Sequence, residues 1–160
     1  MAHTPSKKDP VRFTVRVYAF IWHHEQVLVA NEWYKGLDMC KLPGGGLEFG
    51  EGVIHCLARE LHEELGLMIS LHEFTLVHVC ESFISSKFDV HTQVIGIYYA
   101  IEILEKHVIN LDPPMLETNN TTGLEIRGFS WVNAAKLPEL LTFDMDKEAY
   151  FAFRAKLLDQ

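Results

Sequence analysis

Apolar and polar residues alternate from Val11 to Trp22, with Phe13, Val15, Val17, Ala19 and Ile21 on one side and Arg12, Thr14 and Arg16 on the other. A period of two is that of a strand with one face in the core. His23-His24-Glu25-Gln26 reads as a solvated turn, and the strand pattern resumes from Val27 to about Tyr34, which makes a hairpin. After a loop at Lys35–Asp38, a short strand near Met39–Leu42 leads into Pro43-Gly44-Gly45-Gly46. The period then lengthens: Ile54, Leu57, Ala58, Leu61 and Leu65 predict a helix over about Val53–Leu65. Gly66 suits the left-handed position that ends such a helix. Phe74–Ser85 and His91–Ile103, rich in Val, Ile, Phe and Tyr, read as strands. The segment 105–127 carries Asp112-Pro113-Pro114 and little periodicity, so an excursion or a lid is expected there. Gly128–Val132 reads as a last short strand, and Met145–Leu158 as an amphipathic helix capped by Asp144 or Asp146. Strands interleaved with helices predict an α/β (α+β) chain, a mixed sheet with helices on both sides. Residues 1–10 are expected as a flexible tail and 11–160 as one domain.

Composition narrows the setting. With 160 residues, 48% of them hydrophobic, the chain can bury a proper core. A formal charge of −8 argues against stable binding to nucleic acid backbones or anionic lipid. No apolar run approaches the ~20 residues of a membrane span, and Met1–Pro10 lacks the apolar centre of a signal peptide. Cys40, Cys56 and Cys80 are odd in number and show no CxxC pairing, which suits reduced thiols in a cytoplasmic protein.

The predicted helix at Val53–Leu65 carries a cost. Glu60, Glu63 and Glu64 fall in one narrow arc beside its apolar side. Like charges at that spacing cost about 0.2–0.5 kcal/mol per pair. Acids in the last two turns also face the negative end of the dipole, at about 0.3–1 kcal/mol each. A bound polycation reverses the sign of every such cost, and oxygen donors favour Mg²⁺ or Mn²⁺ over zinc. The bland alternative is a solvated acidic face. The glycine turn ahead of the helix favours the cation, because Gly44 and Gly45 let bare backbone approach the carboxylates and offer a carbonyl as ligand.

Gly45, five residues, Glu51, seven residues, then Arg59-Glu60-Leu61-x-Glu63-Glu64-x-Gly66-Leu67 resembles the signature box of the Nudix hydrolases, with every fixed position filled. The resemblance implies an α/β/α sandwich whose loop–helix–loop holds divalent cations, Mg²⁺ or Mn²⁺, against a pyrophosphate that water attacks at phosphorus. Matched position by position, it implies Glu60, Glu63 and Glu64 as metal carboxylates, with Glu60 also a candidate base. The Gly44 carbonyl, with Gly45 as the alternative, becomes the backbone ligand, and Glu51 and Arg59 become the pair that orients the loop and Glu60. Cys56, one turn before Glu60, is expected as buried filler and His62 as a surface residue. Glu125, six residues before Trp131, fits a further carboxylate that some members draw from a loop before the last strand; Glu102, Glu105 and Glu117 compete for that role.

Trp33 and Tyr34 are candidates to stack on a base. Lys41 is a candidate for phosphate, with Lys35, Lys87 and Arg127, because Asn31 and Glu32 stand where phosphate-binding members often carry Arg. Tags of the ADP-ribose, dinucleoside polyphosphate, coenzyme A and NADH members are missing; Phe83 lies where the first of these has proline. The implied substrate is a small nucleotide, either a nucleoside triphosphate or a small nucleoside diphosphate derivative. ADP-sugars, dinucleoside polyphosphates and a non-catalytic nucleotide sensor are the rival readings. A homodimer stays open.

Overall fold

The computed structural model describes residues 9–106, 109, 111 and 123–158. The expected tail falls mostly outside these residues, as do Glu117 and most of the segment 105–127. The strands are β1 (Arg12–His23), β2 (Gln26–Tyr34), β3 (Leu37–Lys41), β4 (Gly44–Gly46), β5 (Thr75–Val79), β6 (Ile84–Ser85), β7 (Thr92–Glu102) and β8 (Glu125–Asn133). The helices are α1 (Val53–Leu65), α2 (Leu137–Leu140) and α3 (Asp144–Phe153), and α3 runs on into a π turn at Arg154–Leu158. No described helix is long and apolar enough to cross a membrane.

β1 is the spine of a mixed sheet. It pairs in parallel with β7 along its length, from Arg12 against Thr92 to Trp22 against Glu102. On its other flank it meets β2 only at the hairpin base, Trp22 with Val27 and His23 with Gln26. Further along, Arg16, Val17 and Tyr18 pair instead with Gly46, Gly45 and Gly44 of β4. β2 turns to β3 and β8 for its remaining partners. The glycine turn is thereby stitched to the central strand as a strand of its own.

A central strand is covered on both faces, so the expectation of one core face on β1 needs correction. Val17, Ala19 and Ile21 pack with Leu57, Leu61 and Leu65 of α1. Tyr18 and Phe20 pack on the opposite side with Tyr98, Leu137, Tyr150 and Phe153. The Phe20 and Phe153 rings stack 4.4 Å apart. At the far end Phe13 is exposed. Burial of each α1 leucine contributes about 1.5–3 kcal/mol, several times the cost of one like-charge pair. The apolar side of α1 therefore pins it to the sheet despite its acids.

Other expectations shift in detail. The strand expected over Phe74–Ser85 divides into β5 and β6, both antiparallel to β7. His23 is tied rather than solvated, its Nδ1 2.6 Å from the Ile103 carbonyl oxygen. Neither aspartate caps α3: the N-cap is Phe143, with Asp144 in the first turn. Asp146 turns inward, is fully buried, and accepts a 2.6 Å hydrogen bond from the Tyr98 hydroxyl on Oδ1. Its Oδ2 has no hydrogen-bond partner.

That buried acid makes stability depend on pH. Burial, opposed by the Tyr98 bond and the charges of Lys41 and Arg16, pushes the Asp146 carboxyl up to about 6. An unfolded aspartate releases its proton near pH ~3.9. Between those values the folded chain holds the proton more tightly, so this group's contribution to stability falls as pH rises from about 4 to about 6. Asp146→Asn does not titrate. Its stability relative to wild type should rise by up to about 3 kcal/mol across that window. Urea melts in chelated buffer at its two ends measure this, and a pH-independent offset would count against it.

Candidate active site

The site grows from two local features, a glycine turn and the last two turns of α1. Gly44 has φ 135°, and a Cβ there would lie 2.1 Å from the Val17 carbonyl oxygen. Only glycine fits so close to β1. The Gly44 N–H donates to Glu64 Oε2 at 3.2 Å, which ties the turn to α1. A Cβ on Gly45 would lie 2.2 Å from Glu60 Cδ, so the Glu60 carboxylate fills the space that a side chain would take. Gly66, at φ 67°, ends the helix, its N–H donating to the His62 carbonyl.

Arg59 organises the acids from below. Its Nε and Nη2 grip the Glu51 carboxylate at 3.0 and 2.7 Å. Nη1 reaches Glu60 at 3.0 Å and Glu63 at 3.4 Å, and Nη2 also donates to the Gly46 carbonyl at 3.1 Å. Glu51 accepts the Glu48 N–H as well, at 2.8 Å. The Arg59 bonds, then that N–H, hold the Glu51 carboxyl down at about 2. One guanidinium thus fixes the loop, the helix and Glu60 relative to one another. Cys56 is fully buried beneath and His62 is exposed.

The carboxylates nearer the sheet are pushed the other way. Burial, with Glu32 and Glu60 against Lys41, raises the Glu64 carboxyl to about 7. Burial likewise raises Glu60, with Arg59 opposing. Next to them lies a buried ion pair, Lys41 Nζ to Glu32 Oε1 at 3.0 Å, with side chains 6% and 2% exposed. Burial works against the Lys41 charge, yet Tyr18, Glu32 and Glu64 hold it above the ordinary lysine range. Arg16 donates to the Tyr18 hydroxyl at 3.1 Å, and Tyr18, then Glu60 and Glu32, hold its guanidinium above the ordinary arginine value.

Arg16, Glu32 and Lys41 also form one wall of a cavity of about 650 Å³. Its other walls are largely apolar and aromatic, with Tyr34, Met39, Phe83, Phe88, Phe143 and Met145, and Lys87 on its margin. The Tyr34 ring meets Phe88 edge-on at 4.8 Å, and Lys87 lies 5.5 Å over Phe143. Cavity and carboxylates therefore share a boundary of three charged side chains.

Of the residues singled out by sequence, Gly44, Glu51, Arg59, Glu60, Glu63 and Glu64 come together on the loop and α1. Tyr34 and Lys41 line the cavity, Lys41 with its charge partly spent on Glu32. Lys35 sits over the Tyr34 ring at 5.1 Å. Trp33 is outside the cavity lining; its register partners are Asp38 and Glu125. Glu125 is exposed at the start of β8, beyond a register shift at Asn31/Glu32. Arg16 and Glu32 were missed as site residues. Arg16 looked like an outer-face residue of a half-buried strand, and nothing local announces that β4 and α1 meet it there.

The donor set fits a hard cation in kind, carboxylate oxygens with neither thiol nor imidazole among them, while the Gly44 carbonyl oxygen accepts from Lys41 Nζ at 3.5 Å. Fold and loop–helix together define the class, a hydrolase of pyrophosphate bonds. The chain belongs to the NUDIX family, whose domain model matches residues 12–153. Among solved structures it is similar to a NUDIX hydrolase from Nitrosomonas europaea, with TM-score 0.67 and 18% identity over 89% of this chain and 88% of that one. It is also similar to the MutT NUDIX hydrolase from Burkholderia pseudomallei, at TM-score 0.64 and 20% identity over 88% and 97%. The NUDIX domain of Shewanella oneidensis NrtR, solved in complex with ADP ribose, gives TM-score 0.63 and 15% identity over 91% and 87%.

Proposed function

We propose that this chain hydrolyses a phosphoric anhydride bond in a small nucleotide, with Glu60, Glu63, Glu64 and the Gly44 carbonyl holding Mg²⁺ or Mn²⁺ and the cavity taking the base. The observation that carries the reading is the shared boundary: Arg16, Glu32 and Lys41 line the cavity and border Glu60 and Glu64. A nucleotide seated between Tyr34, Phe88 and Phe143 can place its phosphates against that boundary, where Arg16 supplies positive charge. When bound, the divalent ion neutralises phosphate charge and makes water a better nucleophile. The chain does the positioning. Arg59 and Glu51 lock the loop and aim Glu60, the candidate to take the proton of the attacking water. Water oxygen bonds to phosphorus, the bridging P–O bond breaks, and its electron pair leaves with the departing phosphate group.

Glu125 is a further candidate ligand on this reading, and Trp33 a rim residue. The substrate leaning is towards a nucleoside triphosphate or a small nucleoside diphosphate derivative, because a cavity of about 650 Å³ lined by aromatic side chains is of small-molecule size. The test is product release from a panel of ordinary and oxidised triphosphates, ADP-ribose and other sugar nucleotides, and dinucleoside polyphosphates, with Mg²⁺ and with EDTA. Metal-dependent release from at least one class is expected. Binding without release would instead favour a nucleotide sensor.

A further inference from the structure

A second set of donor atoms lies away from the loop and α1, where β5 meets α3. His78 stands on β5, Cys80 just past its end, and Glu148 on α3. A ring nitrogen of His78, the Cys80 Sγ and a carboxylate oxygen of Glu148 all lie within 4.8 Å of one another. His78 Nε2 and Glu148 Oε1 are already in contact at 2.9 Å. Two residues apart on an extended segment, His78 and Cys80 project to the same side. Gly96 of β7 leaves room for the sulfur, since a Cβ there would lie 3.0 Å from Sγ. The structure thus makes a pocket for this thiol and faces it with imidazole and carboxylate.

We propose that His78, Cys80 and Glu148 form a second cation site, one that takes a borderline metal ion such as Zn²⁺ and is chemically distinct from the oxygen-only site on α1. One nitrogen, one sulfur and one oxygen are a donor set that zinc accepts and magnesium does not. Zinc bonds of about 2.0–2.3 Å at tetrahedral angles place donor atoms about 3.3–3.5 Å apart. His78 Nε2 and Glu148 Oε1, now 2.9 Å apart, would part by about 0.5 Å, and the Cys80 sulfur would close on them by up to about 1.5 Å. Those shifts are small for a half-exposed Glu148 and a histidine at the sheet surface. Water completes the tetrahedron, as it does in sites with three protein ligands.

Burial first, then Glu148 and the fully buried Asp146, push the Cys80 thiol up to about 11, so a dication binds here with release of the thiol proton. It would also clamp α3 to the sheet through residues 70 positions apart. Glu148 belongs to the cavity wall as well. Zinc occupancy would therefore fix one side of the space in which the proposed substrate sits.

The test uses Co²⁺ on the full chain, with excess Mg²⁺ present to fill the oxygen-only site. A thiolate-to-cobalt charge-transfer band in the near ultraviolet should appear at one equivalent, yield to Zn²⁺ and ignore further Mg²⁺. Cys80→Ser should abolish the band, and Glu60→Gln should leave it unchanged. His78→Gln, which keeps the sulfur, should weaken Co²⁺ binding at least about tenfold. Zn²⁺ should raise the melting temperature of wild type and of neither variant at this cluster. No charge-transfer band in the wild type, a band that survives Cys80→Ser, or unchanged affinity in His78→Gln would each overturn the proposal. None of these readouts depends on hydrolysis, so the failure of either site leaves the other standing.

Discussion

Glu64→Gln is expected to lower turnover by about 10³-fold while leaving the chain at least as stable as wild type. The two halves of that result have one cause. Glu64 is held half-buried beside Glu32 and Glu60, and its carboxyl is pushed up to about 7, so its negative charge is disfavoured in the metal-free fold. Glutamine keeps an oxygen for the Gly44 N–H and removes the charge. A folded acid with a raised pKa contributes less stability as pH rises through the window between about 4.5 and about 7. The neutral side chain escapes that loss. It also loses the charge that draws a divalent ion. Chemical denaturation and turnover measured on the same sample separate the two effects. A variant that keeps wild-type turnover would remove Glu64 from the proposed machinery, and one that unfolds would make it a structural residue.

Gly45→Ala should cut turnover by about 10²-fold with little change in melting temperature. The added methyl would occupy space now held by Glu60, 2.2 Å from its Cδ and Oε1. Those atoms are the far end of a flexible side chain, so the fold can yield at small cost. What cannot yield is the geometry, because Arg59 Nη1 aims the same carboxylate at 3.0 Å. Gly44→Ala is the contrasting control. Its methyl would meet the Val17 backbone oxygen at 2.1 Å, and φ 135° is strained for any side chain, so this change should lower the melting temperature itself. Full activity in Gly45→Ala would mean that the position of Glu60 does not matter to the reaction.

The loop–helix was legible because its chemistry is local. Gly45 to Leu67 contains the turn, the acid arc, the Arg59–Glu51 pair and the terminating Gly66 within one continuous stretch. Helix periodicity alone places Glu60, Glu63 and Glu64 on a common arc, and the structure adds distances. What stayed hidden depends on strand pairing. Arg16 reaches the carboxylates only because β1 leaves β2 after two residue pairs and takes up β4. The Glu32–Lys41 pair needs the register of β2 against β3, which sets Glu32 opposite Met39 and Ala30 opposite Lys41. Asp146 resembled a helix cap because an acid near a helix start usually is one; a tyrosine 48 positions earlier draws it inward. His78, Cys80 and Glu148 carry no recognisable spacing, since a strand and a helix far apart in sequence bring them together.

Leucine burial pins α1 and Arg59 grips its acids; the central proposal is that a divalent ion also binds over them. The most direct measurement is anomalous diffraction at the manganese edge from crystals holding Mn²⁺ and a non-hydrolysable nucleotide analogue. A peak bonded to Glu60, Glu63, Glu64 and the Gly44 carbonyl, with the base of the analogue among Tyr34, Phe88 and Phe143, is the expected result. An analogue bound in that cavity with no manganese over the acidic arc would contradict it.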